Sequence, residues 1–146
     1  MKTKITKDNI RKLSHKDQVR FALFCAKSVQ HKIVGQHALN CIDIVERWLD
    51  GKATAEECKI AASKVILDNN YSYTTTAAEY AAMTAINTSM ATIDIIDANY
   101  YTHCASGNSR NALFNKGIVE YKQEEYLYEL LHINEIIEQI LLNNCT

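Results

Sequence analysis

Apolar residues recur along this chain at steps of three and four, and strict alternation is absent, so the pattern predicts helices. The best-signalled stretch is 33–66. Val34, Ala38, Cys41, Val45 and Trp48 follow at spacings of four, three, four and three, one stripe of a helix over Ile33–Asp50. Gly51 comes just after Trp48 and Leu49, where a helix ends most easily on a residue that tolerates positive φ. Thr54-Ala55-Glu56-Glu57 then has the form of a capping box, in which hydroxyl and carboxylate each satisfy a free backbone N–H. It opens a helix over Thr54–Asn69 with Cys58, Ala61, Ala62, Val65 and Ile66 inward. The short connection Gly51-Lys52-Ala53 predicts an antiparallel helical hairpin.

The rest of the chain reads similarly. Thr6 caps a short helix over Lys7–Leu13, with Ile10 and Leu13 inward. Ser14, with Asp17 three residues on, caps another that ends near Gln30-His31. Its buried stripe is Val19, Ala22, Leu23, Ala26 and Val29, widened by Phe21, Phe24 and Cys25. Asp68-Asn69-Asn70-Tyr71-Ser72 signals a turn. Small residues dominate 73–105, which divides into helices at about 74–87 and 89–104, broken near Asn87-Thr88-Ser89; one long bent helix is the alternative. Ser106-Gly107-Asn108-Ser109 is the clearest loop. A last helical segment runs from Asn111 to Leu142, interrupted around Lys116-Gly117. Its main stripe is Tyr126, Leu130, Ile133, Ile137 and Ile140.

Composition narrows this to one class. The 146 residues are 47% apolar and 23% charged, with no proline and four glycines, which suits helices joined by short turns. The fold expected is all-α: a single domain over 1–146, a bundle of about six or seven helices around the central hairpin. No apolar run approaches the roughly 18 residues of a membrane span, so no membrane association is expected. The N-terminus lacks the apolar core of a signal peptide. Five cysteines, an odd number with no C-x-x-C pair and three of them on apolar helix faces, read as free thiols of a reducing compartment. The expected location is the cytoplasm.

Charge is uneven. Residues 1–34 hold nine Lys or Arg against Asp8 and Asp17, while the chain as a whole carries −1. Either this is a basic arm for an acidic partner, or the first helices lie against the acidic last one; we favour the second. A nucleic-acid partner is disfavoured, because the pI of about 6.5 is far from that of a dedicated binder.

Candidate chemistry is sparse. His37 and Cys41, at i and i+4, would supply half a zinc site, with no second half of comparable spacing. His103 and Cys104 are adjacent and on a helix point about 100° apart. No glycine-rich phosphate loop or nucleophile motif is present in the sequence. No catalytic, cofactor-binding or metal-binding residue is therefore assigned. Tyr71, Tyr73, Tyr100 and Tyr101 flank the middle helices, and tyrosine is favoured at interfaces. They are the candidate partner-binding residues, although capping the ends of the bundle core is the use we favour for them.

Trp48-Leu49-Asp50-Gly51, Thr54-Ala55-Glu56-Glu57-Cys58 and the pair Ala61-Ala62 together resemble the small helical immunity-protein family of bacterial polymorphic toxin systems. Ala38-Leu39-Asn40-Cys41, Ala77-Ala78-Glu79-Tyr80-Ala81-Ala82 and the segment Glu124–Leu131 fit the same pattern. The resemblance spans roughly residues 18–132. It implies an intracellular, non-catalytic protein without cofactors that neutralises a toxin by stoichiometric binding. The alternatives are a phage or mobile-element inhibitor of a host defence effector, and a nucleic-acid-binding module using the basic N-terminal stretch. Every residue of the hairpin has a sufficient structural role, so the binding surface is expected elsewhere.

Overall fold

The computed structural model describes residues 1–68 and 76–145. These form seven α-helices and one short 3-10 turn, and no strand occurs among them. Helix α1 spans Lys7–Arg11, α2 His15–Ser28, α3 Gln36–Leu49, α4 Ala55–Leu67, α5 Thr76–Met90, α6 Ile95–Ala112 and α7 Lys116–Asn144; the 3-10 turn is Gln30–Lys32.

Local chemistry sets several boundaries. Thr6 Oγ1 accepts from the Asn9 N–H (3.1 Å) and Ser14 Oγ from the Asp17 N–H (3.2 Å). Thr54 Oγ1 accepts from the Glu57 N–H (3.1 Å), and Glu57 Oε1 accepts from the Thr54 N–H (3.3 Å), closing a reciprocal box at the start of α4. Gly51 has φ 74°, a conformation that costs an L-residue about 1–2 kcal/mol. Helix α3 starts at Gln36, behind Gly35 at φ 101°, rather than at Ile33. Val34 therefore falls outside the helical stripe and is 52% exposed. Ile42 takes a place in the core beside Ala38, Cys41 and Val45. Ile66, expected inward, is 54% exposed on α4.

The larger corrections concern α5 to α7. The break expected at Asn87-Thr88-Ser89 lies at residues 91–94, where Asp94 caps α6 by accepting from the Asp97 N–H (2.7 Å). Ser106-Gly107-Asn108-Ser109 is no loop but an internal turn of α6, with Ser106 and Ser109 fully buried. The connection to the last helix is Leu113–Asn115, and α7 begins at Lys116.

The boundaries of α5 and α6 differ from the expected ones because the middle of the molecule is polar and small. Thr84, Thr88, Ser89, Thr92, Thr102, Ser106 and Ser109 are all buried. Their hydroxyls find carbonyls, commonly one turn back on the same helix. Thr84 Oγ1 donates to Tyr80 O and Thr88 Oγ1 to Thr84 O, both at 2.8 Å. Others reach across helices: Thr88 Oγ1 to Ala22 O (3.3 Å), Ser89 Oγ to Cys41 O (3.4 Å) and Thr102 Oγ1 to Gln18 O (3.2 Å). With Ala81, Ala85, Ala98 and Ala105 also buried, α5 and α6 form a thin centre to which α2, α3 and α4 dock.

The two larger apolar clusters extend outward from this centre. Val19, Leu23, Ala26, Cys41, Ile42, Val45, Cys58 and Val65 join α2, α3 and α4, and a Lys27–Glu46 ion pair (2.7 Å) bridges α2 to α3. Ile10, Leu13, Phe21, Cys25 and Leu127 join α1, α2 and α7. Near the second cluster lies a closed polar network. Ser106 Oγ donates to Gln123 Oε1 and Gln123 Nε2 donates to Ser109 Oγ, both at 2.8 Å, while an Arg110 guanidinium N–H donates to Ser106 Oγ at 2.9 Å.

A glycine in a helix interior costs about 1 kcal/mol relative to alanine, and nothing lies within 4 Å of the position a Cβ would take on Gly107. Gly107→Ala is therefore expected to stabilise the protein by about 1 kcal/mol, read as a rise in the urea midpoint at unchanged slope. A midpoint that stays or falls would contradict a helical α6 at this position.

Candidate partner-binding surface

The expected tyrosines separate. Tyr71 and Tyr73 lie outside the described residues. Tyr101 packs against the apolar core, whereas its neighbour Tyr100 is 56% exposed. Their rings meet edge to face at 5.3 Å, and the Lys7 ammonium sits over the Tyr100 ring at 5.9 Å. Ile96, one turn earlier on α6, is 83% exposed, so it and Tyr100 form a small uncovered patch.

A more exposed surface was not expected from the sequence. Phe114, in the connection between α6 and α7, is 101% exposed, so its ring has no protein cover. Ile118 and Tyr121, four and seven residues on, lie one and two turns along α7 and are also exposed. Helical spacing places these two on one side of α7, and the Lys2 ammonium lies 5.3 Å from the Tyr121 ring. Single exposed apolar residues are ordinary, but an uncovered aromatic followed within two helical turns by two further exposed apolar side chains is a candidate interaction surface. The signal in the sequence is the spacing itself, since Phe114, Ile118 and Tyr121 recur at steps of four and three and Leu113 precedes Phe114.

A groove of about 560 Å³ runs along the outer side of α3 and α4. Ile44, Ile60 and Ala61 contribute its apolar part, and Asp43, Arg47, Glu57 and Lys64 its charged part. Of the i, i+4 pair on α3, His37 lines this groove while Cys41 is buried in the core. Among the described residues, no group of three or more His, Cys, Asp or Glu is placed to hold a metal ion.

The buried thiols are held neutral. Burial pushes Cys25 up to about 12, partly offset by a hydrogen bond with Ser109, and pushes Cys41 up to about 11. Burial also raises Cys58. A nucleophilic cysteine needs the opposite shift, so these three serve as packing.

Part of the basic N-terminal stretch is engaged internally. Lys2 lies 4.0 Å from Glu124 on α7, Arg11 pairs with Asp8 (2.9 Å) and Arg20 with Asp17 (2.6 Å). No described helix is long and apolar enough to cross a membrane. No family model, curated protein or solved structure matches the chain.

His103 supplies a pH test of the α6 surroundings. Burial, then the nearby Lys7 and Arg110 cations, hold it below the ordinary 6.5. The unfolded chain thus binds a proton more readily than the folded one, and stability falls as pH drops through about 6.5. His103→Gln is expected to lose less stability than the native chain between pH 7.5 and 5.5, measured by urea midpoints. Equal losses would show that His103 is not the group responsible.

Proposed function

We propose that this protein acts by stoichiometric binding of a protein partner, as an immunity-like inhibitor that neutralises a toxin without turnover. The observation that carries the reading is the exposure of the Phe114 ring, followed four and seven residues on by exposed Ile118 and Tyr121. An aromatic anchor with aliphatic neighbours is the usual energetic centre of a protein interface. The fully exposed ring gains apolar burial on binding and loses no internal contact. The resemblance of the hairpin and its flanking helices to immunity proteins supports the choice of partner class. On this reading the hairpin of α3 and α4 is scaffold, and the α6–α7 corner presents the contact. A cytoplasmic location accompanies the proposal.

The test has two stages. The tagged full-length protein is used to capture its partner from the native host. The identified partner is then expressed alone and together with this protein in a growth assay. The partner is expected to be toxic alone and harmless when co-expressed. Loss of an interfacial anchor costs about 2 kcal/mol or more, so Phe114→Ala is expected to weaken binding about 30-fold or more. Its thermal midpoint should match that of the native chain. Tyr100→Ala and Ile60→Asp report on the α6 patch and the α3–α4 groove in the same assay. Turnover of a substrate by the free protein would overturn the reading. Unchanged binding by Phe114→Ala would move the contact to whichever of the other two surfaces responds.

A further inference from the structure

We propose that Lys7, His103 and Arg110 form a binding site for a phosphate dianion, free or as the monoester of a small molecule, on α6 around Gly107. The site is separate from the proposed partner contact and does not depend on it.

Helical spacing puts Asn99, His103, Gly107 and Arg110 on one side of α6, at steps of four, four and three. Two cations close in on His103 from opposite directions. On one side α1 is tied to α6, where Asn99 Nδ2 donates to Lys7 O (2.8 Å), and the Lys7 ammonium stands 5.9 Å from the Tyr100 ring. On the other, Arg110 folds back along α6 and donates to Ser106 Oγ (2.9 Å). Ser106 is one turn from His103, so the guanidinium lies at that level of the helix. The same guanidinium nitrogen lies 3.4 Å from Gln123 Oε1. A guanidinium carries five N–H donors, so one nitrogen is fixed by this network while the others serve a ligand. Gly107 contributes no side chain between them. Nothing lies within 4 Å of the place a Cβ would take, so the helix surface is open there.

The three groups gather like charge. Burial, then the Lys7 and Arg110 cations, hold His103 below its ordinary 6.5, and no carboxylate offsets them. Among the described residues, neither Lys7 nor Arg110 joins an ion pair. The nearby acids are engaged elsewhere: Asp8 pairs with Arg11 (2.9 Å), and Glu124 lies 4.0 Å from Lys2. Repulsion among the three is relieved when an anion enters. Three separate donors suit a phosphoryl group, with its three acceptor oxygens and nearly two charges, better than a carboxylate with two oxygens and one charge. A bound dianion favours the protonated imidazole, so binding draws a proton onto His103.

Histidine proton NMR of the full chain tests this, with His15, His31, His37 and His132 as controls in the same spectrum. The pH titrations are run in sodium chloride, acetate, inorganic phosphate and glycerol phosphate at equal ionic strength. Both phosphates are expected to raise the His103 midpoint by about half a pH unit or more, a roughly threefold preference of the dianion for the protonated site. Acetate should move it less, and the other four histidines should keep their midpoints. A larger rise with glycerol phosphate assigns the site to a phosphorylated small molecule, and a larger rise with inorganic phosphate to the free anion. Lys7→Gln, at an exposed side chain, should lose most of the response with an unchanged thermal midpoint. Lys59→Gln, exposed on α4, should keep it. A His103 midpoint that is the same in phosphate and chloride would overturn the proposal. So would an equal rise at all the histidines, or a full response in Lys7→Gln.

Discussion

The structure depends on satisfying hydroxyl groups at its centre. A buried hydroxyl without a partner costs on the order of 1–3 kcal/mol, and this chain buries Thr84, Thr88, Ser89, Thr92, Thr102, Ser106 and Ser109 together. Helical geometry supplies the remedy, because a Thr or Ser side chain can reach a carbonyl one turn back. Once paired in this way, the hydroxyl is small and leaves no demand on the neighbouring helix. That lets α5 and α6 sit close, with alanines filling the remaining contacts. The hydrogen bonds that cross from Thr88 to Ala22 O, from Ser89 to Cys41 O and from Thr102 to Gln18 O then tie α2 and α3 to this centre. Gln18 is an incomplete case: its amide donates to Leu13 O, while its Oε1 has no partner among the described residues.

The same chemistry explains which parts of the fold were legible in sequence. Helices whose ends are written in side chains were readable. Thr6, Ser14 and Thr54 each accept from the backbone N–H three residues on, and Gly51 takes the positive φ its position demands. The middle was misread because Ser, Thr and Asn compete for backbone hydrogen bonds in water and so signal turns. Inside the protein that competition is already settled in favour of the helix. Thr88 and Ser89 lie within α5, and Ser106 to Ser109 within α6, for this reason. The true break at 91–94 carried its own signal, Asp94 followed by Asp97, which the density of other polar residues obscured.

The candidate surface was less legible than the fold. Periodicity finds residues that share a face, but it does not tell a covered face from an open one. Tyr100 and Tyr101 are adjacent and chemically identical, yet one packs on the core and the other stands in solvent. Phe114 has helical spacing to Ile118 and Tyr121 in the sequence, yet it lies in the α6–α7 connection and is fully exposed. Val34 and Ile66 err the other way. Each has the right spacing for burial, but Val34 precedes a helix that waits for Gly35, and Ile66 lies in the last turn of α4, on its exposed side.

Helix α7 shows how far a single pattern can serve two ends. Along its first half, apolar positions are satisfied by Phe21, Phe24 and Cys25, and Gln123 is satisfied by Ser106 and Ser109. Lys2 beside Glu124 and over Tyr121 brings part of the basic N-terminal excess onto the acidic helix, so some of the charge asymmetry in the sequence is internal. Beyond Leu131 these contacts stop, and the apolar spacing does not. Apolar area left in water costs about 25 cal/mol for each Å² that burial would remove. Ile133, Ile137 and Ile140 stay exposed at the same spacing by which Tyr126 and Leu130 pack within the molecule. A surface selected only for solubility would carry Glu or Lys at those same positions.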